Sequence, residues 1–181
     1  VSAAWKLFYE QGYEDTTVEE IIELSGTSKG SFYHYFDGKD ALLSTLSSLF
    51  DEKYEELTGL LTPEMTAMEQ LLFLNRELFH MIEDSISLDL LARLYSTQLT
   101  TNGEKHLLDH NRIYYKLLRK IIAKGQAEGQ LSSRSNVNEM VKLYALCERA
   151  LLYDWCLCAG EYALTEYSAK VLPGFLSSFL P

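Results

Sequence analysis

The chain has 181 residues, of which 47% are hydrophobic, 12% aromatic and 23% charged, with ten glycines and three prolines, a composition that excludes a disordered chain. Sixteen basic residues against 26 acidic give a formal charge of -10. Taken alone, that charge argues against nucleic acid, because phosphate binding depends on lysine and arginine releasing counterions.

Apolar residues recur at helical spacing along nearly the whole chain, so the expected fold class is all-α. A first helix carries Ala4, Leu7 and Phe8 and stops at Gly12. Thr17 and Glu20 have capping-box spacing and open a second, short helix with Val18, Ile21, Ile22 and Leu24, closed by Gly26. A third short helix runs from about Ser28 to Tyr35, ended by Asp37 and Gly38. From Lys39 one longer helix is expected, with Leu42, Leu46, Leu49, Phe50, Tyr54, Leu57 and Leu61 on one face, ending before the cap Thr62-Pro63. Further helices are expected near 63–84, 87–100 and 104–128. Asn136, with Glu139 three residues on, opens a helix that extends to Gly160. From Leu143 to Cys158 that helix is apolar nearly all round, so it needs a cover on a second side. A last helix spans about Leu164 to Leu180, with Pro173-Gly174 bending or interrupting it.

Thr16 to Phe36 has the form of two short helices joined by a tight glycine-containing turn, a helix-turn-helix whose second helix can enter a major groove. Ser28, Lys29, Ser31, Tyr33, His34 and Tyr35 crowd hydrogen-bonding groups into one helix, and Phe32 and Phe36 form its inward anchor. Gly30 removes a side chain where that helix would approach DNA. The Thr17 hydroxyl, helix-start amides and Lys39 can meet phosphate. On pattern alone, DNA binding and a role for these residues as caps and a buried aromatic pair stand level.

The run LFYEQGYEDTTVEEIIELSGTSKGSFYHYFDGKDALL resembles the DNA-binding domain of the TetR family of bacterial transcriptional regulators. It matches at Phe8, Gly12, Thr16-Thr17, Ile21, Gly26, Ser28-Lys29-Gly30, Tyr33, Phe36, Lys39 and Leu42. The resemblance implies a helix-turn-helix DNA-binding domain over 1–45 and a helical effector-binding and dimerisation domain over 46–181; the absence of an initiator Met and a helical pattern already under way at Val1 separately lead one to expect residues upstream. It places Thr17, Thr27, Ser28, Lys29, Gly30, Ser31, Tyr33, His34, Tyr35 and Lys39 at DNA-touching positions. Lys29, Ser31 and His34 are assigned to base edges, and Thr17, Tyr33, Tyr35 and Lys39 to phosphate. It further implies a homodimer through the last two helices, a palindromic double-stranded operator and, as the sign of regulation, repression.

An effector pocket is implied between the helices from about 63 to 158, with Phe73, Phe79, Tyr95, Tyr114, Leu118, Tyr144, Cys147, Leu151 and Trp155 as candidate lining. For each of these, ordinary core packing is the competing reading. Glu148 and Arg149 sit inside an apolar helix, where one of them can orient a polar group of the ligand or the two can form a structural ion pair. Such a pocket suits an apolar or amphipathic effector.

His106 and His110 have i, i+4 spacing, but no third ligand matches them, so no metal is expected. Cys147, Cys156 and Cys158 are odd in number and clustered, which fits small core residues in a reduced, cytoplasmic setting. No apolar run approaches the ~18 residues that span a bilayer, and no secretory leader pattern is present. No phosphate loop, dinucleotide fingerprint or nucleophile elbow occurs, so neither an enzyme nor a cofactor is expected. The alternative function is a helical protein-interaction module of the same fold. Residues 1–50 hold three lysines against eight acids, so weak nonspecific DNA affinity is expected.

Overall fold

The computed structural model describes residues 1–100 and 105–181. Within them the regular elements are helices: α1 (Ser2–Gln11), α2 (Val18–Ser25), α3 (Lys29–Tyr35), α4 (Lys39–Leu43), α5 (Leu46–Thr58), α6 (Ala67–Ser85), α7 (Leu88–Thr100), α8 (Ile113–Ala127), α9 (Val137–Leu157) and α10 (Leu164–Leu176). The chain divides into two compact units, one of residues 1–49 with 87–108 and one of residues 50–86 with 109–181.

In the first unit, Ala4, Phe8, Tyr13, Ile21, Phe32, Leu42 and Leu43 form a core that also takes in Leu90 of α7. The capping box at Thr17 forms as expected, with Glu20 N donating to Thr17 Oγ1 and Thr17 N donating to Glu20 Oε2. Gly26 closes α2 at φ 65°, a left-handed conformation that glycine adopts without a Cβ clash. The single helix expected from Lys39 to Leu61 is broken at Ser44-Thr45. The Ser44 hydroxyl donates to Ala41 O at 2.7 Å and the Thr45 hydroxyl to Leu42 O at 2.6 Å. These hydroxyls compete with the helical backbone for its carbonyls. Thr45 Oγ1 also accepts from Trp5 Nε1 at 2.9 Å, which joins the break to α1.

The second unit packs α6, α8, α9 and α10. α6 starts at a Thr66–Glu69 capping box, not at Thr62-Pro63. α8 approaches the start of α6 so closely that a Cβ on Gly125 would lie 2.5 Å from Ala67 Cβ. Asn136 caps α9 as expected, accepting from Glu139 N at 2.9 Å. α10 has no cap of its own, because Ala163 precedes it. Glu83 of α6 serves instead, accepting from Leu164 N at 2.8 Å and from Thr165 N at 3.1 Å. α10 ends at Leu176 and passes into a 3-10 turn, Ser177–Phe179, four residues short of the expected Leu180.

The expected start of a helix at residue 104 lies outside the described residues. Lys105 to Asn111 is not α-helical: His106–Leu108 is a 3-10 turn, and Asp109 Oδ1 accepts from Asn111 N at 2.8 Å. α8 begins only at Ile113, so the helical i, i+4 geometry expected of His106 and His110 does not form.

Candidate nucleic-acid interface and effector unit

Ser28 caps α3, accepting from Ser31 N at 3.1 Å. Phe32 is buried and Phe36 half-buried, their ring centroids 5.7 Å apart, so this pair holds the helix onto the unit core. The opposite face is free of the core. Lys29, Ser31, Tyr33, His34 and Tyr35 are all exposed, Tyr35 by 74%. A Cβ on Gly30 would meet nothing closer than 4.0 Å, so the internal packing of the chain does not require glycine there. Thr27, beside the turn, shares a hydrogen bond with Ser25 at 3.0 Å.

Besides Ser28 and Thr27, three more of the assigned DNA-binding side chains already have partners. Lys29 Nζ lies 2.9 Å from Glu19 Oε1, with both groups about two-thirds exposed. The hydrogen bond from Lys29 holds the Glu19 carboxyl below its ordinary range, and the same bond raises the Lys29 ammonium. The Thr17 hydroxyl donates to Glu20 Oε2 at 2.8 Å. Lys39 is the most committed: its ammonium donates to Tyr13 O at 2.6 Å, Thr16 O at 2.9 Å and Glu14 O at 3.3 Å, and lies 4.2 Å from the Tyr13 ring centroid. It therefore ties the start of α4 to the turn between α1 and α2. Tyr13 has no place in the sequence-level assignment, yet its hydroxyl donates to Asp40 and its ring also meets Arg93 of α7. Nothing in its local sequence marks it out, since the groups around it come from three separate elements.

The ten residues assigned to the effector divide among several places. Tyr114, Tyr144 and Glu148 meet in a buried polar cluster. Tyr114 Oη donates to Glu148 Oε2 at 2.6 Å and Asn75 Nδ2 donates to Glu148 Oε1 at 2.9 Å. Tyr144 Oη donates to Leu71 O at 2.8 Å and also neighbours the Glu148 carboxyl. Ser168 Oγ donates to Asn75 Oδ1 at 2.5 Å, which links α10 to the same cluster. Burial pushes the Glu148 carboxyl above its ordinary range, against the pull of its hydrogen-bond donors. Arg149 does not pair with it but donates to Tyr115 Oη at 3.2 Å. Phe79, Leu118, Cys147, Leu151 and Trp155 are buried, and burial raises the Cys147 thiol to about 11. Tyr95 is half-buried on α7, in the other unit.

Phe73 instead lines a groove of about 640 Å³ between α6 and α10, with Met65, Leu72, Ala169, Leu172 and Pro173. Asn75 and Ser168 form part of its wall, so the groove touches the Glu148 cluster. Neither was legible as a site residue, because a lone Asn and a lone Ser on amphipathic helices carry no spacing signal.

Residues 1–46 match the family model of the bacterial regulatory proteins, tetR family. These residues form a helix-turn-helix domain of the TetR type. The match covers the whole of the helix-turn-helix, and the members of this family are transcription regulators, not enzymes. The chain is 40% identical over 63 residues to the uncharacterized regulator YuxN of Bacillus subtilis, an alignment that spans 34% of this chain and 22% of YuxN. It is 23% identical over 176 residues to the fatty acid metabolism regulator protein of the same species, covering 95% of this chain and 89% of that protein. Among solved structures, the transcriptional repressor FadR of Thermus thermophilus, crystallised with lauroyl-CoA, superposes with a TM-score of 0.78 at 25% identity, over 99% of this chain and 93% of that one. Among the described residues, no helix is long and apolar enough to cross a membrane.

Proposed function

We propose that this chain is a ligand-responsive repressor that binds a palindromic operator as a homodimer, with residues 1–45 reading DNA and the remainder serving effector and dimer. The observation that carries the reading is the outward face of α3. Ser31, Tyr33, His34 and Tyr35 project hydrogen-bonding groups away from the Phe32–Phe36 anchor, on a helix short enough to sit in a major groove. Lys29, Ser31 and His34 are the base readers in this proposal. Tyr33, Tyr35 and the start of α2 at Thr17 take phosphate, and Lys39 acts by holding the reading head in shape.

Two features support the rest. Leu146, Tyr153 and Leu157 form an exposed apolar row on α9, at 51%, 47% and 66% exposure, and a second copy would cover it. α7 belongs to the same compact unit as the helix-turn-helix, through Leu90 and Arg93, so an effector that displaces α7 moves the reading head with it. The lauroyl-CoA complex of the Thermus repressor and the similarity to a fatty acid metabolism regulator support a long-chain acyl thioester as the effector class.

Selection of bound sequences from a random duplex pool tests the first part: a palindromic consensus is expected, and no enrichment overturns it. Titrating lauroyl-CoA into the complex with the selected operator tests the second. Release of DNA is expected, and unchanged affinity at saturation removes this effector class.

A further inference from the structure

The most concentrated positive charge in this acidic chain lies on α8. Lys116, Lys120 and Lys124 repeat every four residues, so they share one face and span about 12 Å of helix. All three are exposed, and α8 contains no acidic residue at all. Among the described residues, Lys116 and Lys120 have no carboxylate partner, while Lys124 has only Glu128 at 3.7 Å. The arrangement opposes helix stability twice over. Like charges at i, i+4 repel, and Lys116 stands in the first turn, where the helix dipole disfavours a cation. Lys124, in the last turn, is the one of the three that the dipole favours.

Beside the row lies a recess of about 220 Å³, lined by Thr58, Leu61, Thr62, Pro63, Gln70, Leu117, Lys120, Ile121 and Lys124. It is smaller than the ~300–1,000 Å³ typical of a complete small-molecule site, so it suits one part of a ligand. Its lining includes the apolar Leu61, Leu117 and Ile121, and Tyr114 and Leu118 are buried on the same helix. The larger α6–α10 groove is a poorer match for a polyanion. Glu64 and Glu69 stand at its edge, and its Arg76 is already 2.9 Å from Glu77.

We infer that Lys116, Lys120 and Lys124, with the Thr58–Thr62–Ile121 recess, bind the phosphate-bearing head of the amphipathic effector and leave its apolar chain to the interior of the helical unit. The inference rests on the acyl-thioester reading above and adds to it the place and chemistry of head-group recognition. Coenzyme A carries a pyrophosphate and a ribose phosphate, and a row of flexible ammonium groups neutralises such spaced charges without demanding one fixed geometry.

The test compares the full chain with the triple variant K116Q/K120Q/K124Q, using lauroyl-CoA, laurate and inorganic phosphate as probes. Each variant is first checked for retained helicity and a melting temperature no lower than that of the wild type, and K120E alone serves as a second variant. The wild type should bind lauroyl-CoA with an affinity that falls as salt rises. The triple variant should bind it at least about tenfold more weakly and lose most of the salt dependence, and laurate should bind both equally. Equal binding of lauroyl-CoA by wild type and variant overturns the head-group site while the effector class stands. No binding of lauroyl-CoA by the wild type overturns both. Displacement of lauroyl-CoA by equimolar inorganic phosphate assigns the row to free phosphate, and loss of operator affinity in the ligand-free variant assigns it to DNA. Either result also overturns the inference.

Discussion

Arg93 of α7 reaches Glu14, in the turn between α1 and α2, at 2.6 Å, while its guanidinium lies 4.8 Å from the Tyr13 ring centroid. Arg93 also pairs with Asp89 on its own helix at 2.8 Å. α7, which lies more than forty residues beyond α4 in the chain, is thus fastened to the turn between α1 and α2 within one compact unit. Arg93→Met removes these attachments but keeps the buried stem of the side chain. Exposed pairs of this kind contribute about 0–1 kcal/mol, so stability should change little. Operator affinity without effector should hold, whereas the fraction of DNA released by saturating lauroyl-CoA should fall. Fluorescence anisotropy with and without ligand measures both quantities. Unchanged release would remove Arg93 from the coupling.

The Lys29–Glu19 pair holds back the cation best placed on α3. Glu19→Gln frees that ammonium and removes one negative charge from a surface that faces DNA in the proposed complex. Affinity for random duplex should rise, with a steeper salt dependence. Lys29→Ala should lower it and flatten the slope. Titration at two salt concentrations distinguishes the two variants, and identical slopes would place Lys29 away from DNA.

On α9, the double substitution Leu146→Glu with Leu157→Glu places charge on the exposed apolar row without touching the buried face. Sedimentation should shift from dimer to a 20.7 kDa species, and operator binding should weaken as the two reading heads separate. A dimer that survives both changes uses another surface.

Glu148 makes a prediction about pH. Its carboxyl titrates above the ordinary 4.5 in the folded chain because of burial, so the folded state holds a proton that the unfolded chain releases near 4.5. The stability contributed in this way is complete below that ordinary value and is lost as pH rises through the raised one. Glu148→Gln keeps an acceptor for Asn75 and cannot ionise, so the slope of unfolding free energy against pH should flatten above pH 4.5. Urea denaturation at a series of pH values measures the slope, and parallel curves for both proteins would contradict it.

Glu83 carries the opposite sign. Burial raises its carboxyl, but the bonds it accepts from Thr165 and Leu164 outweigh burial and hold it below 4.5. Its capping contribution is therefore present above that value and lost as pH falls through the lowered one. Glu83→Ala should destabilise the chain by about 0.5–2 kcal/mol, the usual cost of a lost N-cap, in thermal or urea unfolding at neutral pH. No measurable loss would mean that α10 starts equally well without it.

Most of the helix boundaries were legible because caps are local. Thr17 with Glu20, and Asn136 with Glu139, are encoded within four residues and form as read. The Thr66–Glu69 box was legible by the same rule, although Thr62-Pro63 competed with it a turn earlier. The break at Ser44-Thr45 was harder to see, because apolar spacing continues through it and only the hydroxyl bonds to Ala41 and Leu42 interrupt the helix. The outward face of α3 was readable because the nine residues from Ser28 to Phe36 hold both its anchor and its polar groups. Lys39 was not, since one ammonium among carbonyls from Tyr13, Glu14 and Thr16 looks in sequence like any free cation.

The sequence alone determined the all-helical class, the helix-turn-helix and the residues that α3 turns outward, since each depends on side chains within one or two helical turns. The tertiary structure decided which distant groups complete one another: Glu83 capping α10, Asn75 and Ser168 joining Glu148, and Arg93 fastening α7 to Glu14. These partners are separated by tens of residues, and hydrogen-bond geometry between them exists only after the helices pack. Even the net charge of -10 was informative only once the fold distributed it, with acids around α2 and an unbroken row of lysines along α8.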